Sequence, residues 1–352
     1  MTHYIKISLL TIILVTFWTS CGGPELPTDF KYILENITNN CIIATYNSNN
    51  DQAKTLIIKL QEFKANRNSN TLESAKESWR LTRREWEKAE AFLFGPVKNQ
   101  GFNISMDSWP LDEKELDSVI AGNKVLDKSF LDQQVGFIKG YHTIEYLLWG
   151  INSNKKVADF TEREIDYAIA CAESLQGNTQ KLYDYWRGGI GGDNFGKNLI
   201  EAGGRSIYKT QKVAILELVN GIIIVCDEVA NSKLNAAYSK KDLALEESRY
   251  SQNSKSDFID NVEGIKMIYM GKNGLLGDGS GISSIIKNLN PELDAKIINQ
   301  IDALEQSISN IPGTYSDAVF NNRPFIETAI TTALELQQTF TNDLTTELKN
   351  LP

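Results

Sequence analysis

Ser78 to Pro96 reads SWRLTRREWEKAEAFLFGP. Trp79, Arg83, Trp86, Glu90 and Leu93 advance by three or four residues, so in an α-helix they share one face. Three large apolar side chains mark that face as one that packs, which leaves two charges, Arg83 and Glu90, among them. An unpaired buried charge is strongly unfavourable, so each needs a partner: the other, a residue of another helix, or a metal ion. The competing reading rotates the helix and leaves both charges in water.

Outward from this segment, helical spacing of apolar residues recurs along almost the whole chain, while alternating runs bounded by tight hairpin turns are scarce. The chain is therefore read as all-α. Helices are expected at 29–47, 51–66, 71–94, 111–121, 127–149, 161–186, 206–230, 234–247, 255–270, 281–289, 291–309 and 316–349, the last broken near Arg323-Pro324. The Gly-rich stretch 188–204 is taken as a linker between two helical-bundle-like domains, 29–187 and 205–352. A second glycine cluster, Gly271 to Gly281, reads as a loop inside the second domain.

The 352 residues carry a net charge of −9, which supplies no basic footprint and argues against a nucleic-acid partner. At the N-terminus, Lys6 precedes the apolar run ISLLTIILVTFW and then Thr19-Ser20-Cys21-Gly22-Gly23. This is the layout of a lipoprotein signal: residues 1–20 as the signal peptide, Cys21 as the lipidated residue, and 21–28 as a tether. The expectation is a body outside the cytoplasm, held to a bacterial envelope membrane, the outer membrane, by lipid on Cys21. Removal of residues 1–20 would take His3 with it and leave His142 as the single histidine. Cys41, Cys171 and Cys226 are odd in number and far apart, so they read as small buried residues and not as a disulfide framework or thiolate site.

Within 127–149, Gly140-Tyr141-His142-Thr143-Ile144-Glu145 sets His142 and Glu145 three apart, on one face that continues through Val135, Ile138 and Trp149. A lone histidine on an apolar stripe is most often a satisfied core residue. A neighbouring carboxylate favours ligation, because imidazole and carboxylate at this spacing recur where helical bundles hold metals. Gly140 allows another backbone or side chain to approach closely.

Taken together, GYHTIE followed by YLLWG, and the W-x(6)-W-x(3)-E-x-F-x-F-G-P pattern from Trp79 to Pro96, resemble the imelysin family, also known as M75 peptidases or iron-regulated-protein-A-like proteins. The family hallmark G-x-H-x-x-E is met by Gly140, His142 and Glu145. Asp107 to Asp112, and Glu247 to Ser251 with Asp257, Asn261 and Gly264 beyond, resemble it more loosely. The resemblance implies an all-α fold of two bundle-like domains, a site around the G-x-H-x-x-E helix near their junction, and a role in iron acquisition at the envelope with other uptake components. The peptidase label stems from a founding member and does not carry a mechanism to this chain.

One histidine cannot build the two-histidine zinc site of an H-E-x-x-H peptidase. A set of His142, Glu145 and Glu90 remains open: zinc accepts one imidazole and carboxylates, and such an oxygen-rich site with one nitrogen suits iron or another hard cation at least as well. Arg83 is the candidate that orients a carboxylate, with Trp86, Gly140, Arg249 and Asp257 as candidate lining residues. The alternatives are a metallopeptidase using the same residues and a non-enzymatic module for a partner protein or polymer. Gly191 to Asn198 nearly matches a phosphate-binding loop, but Asn198 lacks the required hydroxyl and a helix, not a strand, precedes it.

Overall fold

The computed structural model describes residues 29–189 and 194–351. Residues 1–28, with the signal segment, Cys21 and the tether, and residues 190–193 of the Gly-rich stretch lie outside the described residues. Among the described residues every regular element is helical, and the lone exception is an isolated bridge between Asn273 and Leu276. The all-α reading holds.

Helix α1 (Ala44–Ala65) continues directly from Lys31–Asn36 through the π-helical stretch Ile37–Ile43. The sequence suggested a break after residue 47, at an asparagine-rich stretch. No break occurs, because tertiary partners satisfy the amides: Asn49 Nδ2 donates to Thr82 O and Tyr141 Oη at 2.8 Å each, and Asn50 Nδ2 donates to Gln180 Oε1 at 2.8 Å. Helix α2 (Ser69–Ala89) starts at an Asn68 cap whose side chain accepts from Asn70 N and Thr71 N, and it tightens into a 3₁₀ turn at Glu90–Phe92.

The helix expected over 127–149 is three pieces: Lys128–Asp132, a 3₁₀ turn at Gly136–Ile138, and α3 (Tyr141–Trp149). The short helix Phe102–Met106 is the cause, since its backbone runs hard against two glycines. A Cβ on Gly136 would lie 2.1 Å from Ile104 O, and one on Gly140 would lie 2.1 Å from Met106 O. Val135 is exposed and shares no face with His142, which sits in the first turn of α3.

Helix α4 (Glu162–Arg187) begins with a reciprocal Thr161 and Glu164 capping box. After the Gly-rich stretch, α5 (Gln211–Asp227) runs through π-helical Glu228–Leu234 into Asn235–Lys240. It stops where Lys241 adopts φ +53°, so the expected helix 234–247 ends early and Glu247 stands on an irregular segment. Helices α6 (Ser254–Met270), α7 (Pro291–Ser309) and α8 (Arg323–Gln338) follow. The predicted break near Pro324 falls just before α8, where proline occupies a first-turn position whose N–H needs no partner.

Helix α2 packs on α1 and, from beyond the Gly-rich stretch, on α6. Glycines set that approach. A Cβ on Gly264 of α6 would lie 2.3 Å from Lys88 O, and one on Gly221 of α5 would lie 2.3 Å from Ala91 O. Both later helices therefore touch the backbone at the end of α2, and the apolar core is continuous across the 188–204 boundary. Cys41, Cys171 and Cys226 are buried free thiols within it. Asn194 caps a short helix, Phe195–Ile200, at the place of the near-match to a phosphate loop.

Candidate metal centre

Arg83 projects from α2 with no exposed surface. Its guanidinium pairs with Glu87 one turn along, with Asp107 after the Phe102–Met106 helix, and with Glu247 at 2.9 Å; Asp257 of α6 stands 3.9 Å from its Nε. The rotated, solvated alternative for this helix is thereby excluded: Arg83 and Glu90 are both buried. A planar five-donor fork can serve several carboxylates at once, as a lysine could not. Trp86 donates from Nε1 to Asp107 Oδ2 at 2.8 Å, and the ring of Tyr141 stacks on Trp86.

The second cation is Lys233, which the π-helical stretch Glu228–Leu234 presents to the same cluster. Its Nζ lies 2.8 Å from Glu87 Oε2, 2.6 Å from Glu90 Oε2 and 3.1 Å from Glu247 Oε2. Asn261 of α6 donates to Glu87 Oε2 and Glu90 Oε2 at 2.8 Å each. Burial pushes the Glu87 and Glu90 carboxyls up, although Arg83 and Lys233 oppose the shift. For Asp107 burial also acts upward, but Arg83 and His142 outweigh it and hold the group well below the usual carboxylate range. Lys233 and Arg83 likewise bring Glu247 below its ordinary value against its burial.

His142 is buried between two carboxylates. Nδ1 lies 3.1 Å from Glu145 Oε2, and Nε2 lies 3.2 Å from Asp107 Oδ1. Burial alone would lower the imidazole pKa, but these two carboxylates raise it to about 9. Trp109 covers the ring, with centroids 4.8 Å apart. Glu145 uses its other oxygen, Oε1, to accept from Ser251 N at 2.8 Å and Ser251 Oγ at 2.7 Å, so both of its oxygens are engaged.

One donor atom each from Asp107, His142 and Glu247 falls within 4.8 Å of the others, and a second such group comprises Glu87, Glu90, Asp107 and Glu247. In the second group Lys233, Asn261 and Arg83 engage oxygens of Glu87 and Glu90, and in the first Arg83 and Trp86 engage Asp107 while Arg83 and Lys233 engage Glu247. In the first, His142 Nε2 faces Asp107 Oδ1 at 3.2 Å and Glu247 Oε2 faces Lys233 Nζ at 3.1 Å, so both contacts are ion pairs without well-formed hydrogen-bond geometry. A cavity of about 210 Å³ opens onto it, lined by Asp107, Trp109, Glu247, Glu90 and Glu228 among others.

Of the residues singled out from sequence, His142, Arg83, Trp86 and Glu90 meet in this cluster, Glu145 stands on the far edge of the imidazole from Asp107, and Gly140 fixes the start of α3. Asp257 is buried beside Arg83, with its carboxyl pushed up to about 8, chiefly by burial. Arg249 does not join the cluster. It pairs with Glu113, donates to Tyr250 Oη at 3.0 Å, and lies over the Tyr250 and Trp109 rings. Sequence reasoning missed Glu87, Asp107, Lys233 and Glu247 as individuals. Glu87 was signalled by its four-residue spacing from Arg83, and Asp107 and Glu247 open the two stretches with the looser family resemblance; nothing marked Lys233.

Fold and site together define an all-α protein with a buried cluster of one imidazole, several carboxylates and two cations, assembled from both sides of a Gly-rich stretch. The chain belongs to the imelysin (Peptidase M75) family, whose profile matches residues 42–341. It is similar to iron-regulated protein A of Synechococcus elongatus, 26% identical over 301 residues, which is 84% of this chain and 80% of that protein. Among solved structures it resembles a protein of Parabacteroides distasonis described as a precursor of iron-regulated protein A, with a TM-score of 0.85 and 22% identity over 92% of this chain and 97% of that one. An imelysin-like protein of Psychrobacter arcticum gives a TM-score of 0.73 and 13% identity, covering 91% and 95% of the two chains. At these identities the solved structures speak for the fold. Among the described residues no helix is long and apolar enough to cross a membrane.

Proposed function

We propose that this imelysin-family chain binds a metal ion, iron, through Asp107, His142 Nε2 and Glu247, and takes part in iron uptake at the bacterial envelope, tethered by lipid on Cys21. The observation that carries the reading is the convergence of one donor atom each from Asp107, His142 and Glu247 within 4.8 Å of one another, with His142 Nε2 turned to Asp107. Asp107 and Glu247 also line the cavity of about 210 Å³, which leaves room for an ion beside them. Glu145 supports it from behind: by engaging Nδ1 it turns Nε2 toward the carboxylates, the usual arrangement around a ligating imidazole. One nitrogen and two carboxylates suit a hard or borderline cation, so zinc is a plausible competitor. The name of the Synechococcus relative favours iron.

The roles separate by mutation. After equilibration with iron, zinc, manganese or calcium and removal of excess, wild type should retain one equivalent of iron. Asp107→Asn and Glu247→Gln should lose about a hundredfold or more in affinity, and Glu145→Gln, which loosens a supporting contact only, about tenfold. Full retention by Asp107→Asn, with complete loss in Glu145→Gln, would transfer the ligand role to Glu145.

The affinity should also depend on pH. Ligation needs a neutral imidazole, and with His142 at about 9 the bound ion must displace a proton throughout the neutral range. Titration of metal binding should give a Kd about tenfold weaker for each unit of pH below 9, a higher window than the ordinary histidine value suggests. An affinity that does not change between pH 8 and pH 6 would be incompatible with imidazole ligation.

A further inference from the structure

The cavity beside the Asp107 and Glu247 donors has a neighbour. It shares Glu90, Leu93, Asn103 and Glu228 with a second chamber of about 290 Å³. The walls change character between the two. The first holds carboxylates and Lys233, whereas Phe94, Val97, Ile104 and Ile224 line the second. Ile104 and Ile224 are 67% and 47% exposed, although they face a pocket, so their apolar surface has no partner within the fold. A bare hydrated ion uses neither the apolar chamber nor these side chains. An ion held from one side by three protein donors has coordination positions left for other oxygens, and apolar walls next to them favour a carbon-bearing donor over water.

We propose that the cargo is a metal chelate: iron(III) held by Asp107, His142 and Glu247, with a small bidentate oxygen chelator of the hydroxamate class completing the coordination and its hydrocarbon part in the apolar chamber. The inference rests on the metal reading above and deepens it. The chelator releases its N–OH proton to solvent, and its two oxygens replace water on the ion. A singly charged hydroxamate suits the boundary of the two chambers better than a doubly charged catecholate, because Glu90 and Glu228 line both.

The test uses iron(III) with acetohydroxamate or benzohydroxamate, added to the folded chain. Calorimetry and the visible charge-transfer band of the chelate report on binding. Benzohydroxamate should bind the iron-loaded protein about tenfold or more tighter than acetohydroxamate, because its ring buries several more apolar carbons. Ile224→Trp, which fills the chamber from its exposed wall, should keep one equivalent of iron and lose that preference. Ile104→Trp gives a second, independent filling should the first variant not fold. Equal affinity for the two hydroxamates in wild type, or an undiminished preference in both filled variants, would overturn the chelate proposal while leaving metal binding intact. Absence of retained iron in wild type would overturn both.

Discussion

Replacing Arg83 by leucine is expected to destabilise the fold by about 4 kcal/mol, measured by urea unfolding of the metal-free protein at pH 8. The guanidinium is fully buried and is shared by Glu87, Asp107 and Glu247, with Asp257 close by. Leucine fills part of the space and leaves these carboxylates without their common cation. Lys233 compensates only the side of the cluster formed by Glu87, Glu90 and Glu247. The deficit should shrink at pH 5. Carboxyls whose folded-state pKa is raised above the unfolded value bind protons on folding, so stability relative to wild type recovers as pH falls. Arg83→Lys should fall between, because it restores the charge without the fork. A deficit for Arg83→Leu that is the same at both pH values would mean that the loss is one of packing and not of charge.

Gly140→Ala should cost about 3 kcal/mol and weaken metal binding at the same time. Gly140 holds φ +87° and ψ −161°, a region that residues with a Cβ scarcely enter. The new methyl would also meet Met106 O at 2.1 Å. Its N–H donates to Cys171 Sγ at 3.2 Å, which pins the start of α3 to α4. His142 lies two residues on, so relief of the clash moves the imidazole relative to Asp107. A fall in iron affinity of about tenfold should accompany the loss of stability. Gly101→Ala is the control: φ is +68° but nothing lies within 4 Å of its Cβ, and about 1 kcal/mol is expected. Equal effects of the two substitutions would show that neither the contact with Met106 nor the ψ of −161° sets the cost at Gly140.

The helices were legible because their apolar residues recur at a local period, and local periodicity survives in a linear string. The failures were also local in origin. Ser48, Asn49 and Asn50 resemble a turn, yet the two amides are satisfied by Thr82, Gln180 and Tyr141, all distant in sequence. Residues 127–149 resemble one helix, yet close passage of the Phe102–Met106 backbone past Gly136 and Gly140 breaks it. In both places a tertiary contact overrides the local preference.

From the sequence came the helical class, the demand that a charge at Arg83 and another at Glu90 be partnered, and the pairing of His142 with Glu145 one turn apart. Each follows from spacing within one segment. Only the tertiary structure decided who the partners are. Asp107, Lys233, Glu247 and Asn261 come from four other segments, and Gly221 and Gly264 let α5 and α6 reach the end of α2 closely enough to deliver two of them. Fixed spacing along a helix places neighbours within a few ångströms, whereas a charge brought in from another segment depends on how helix backbones pack, which no local pattern encodes.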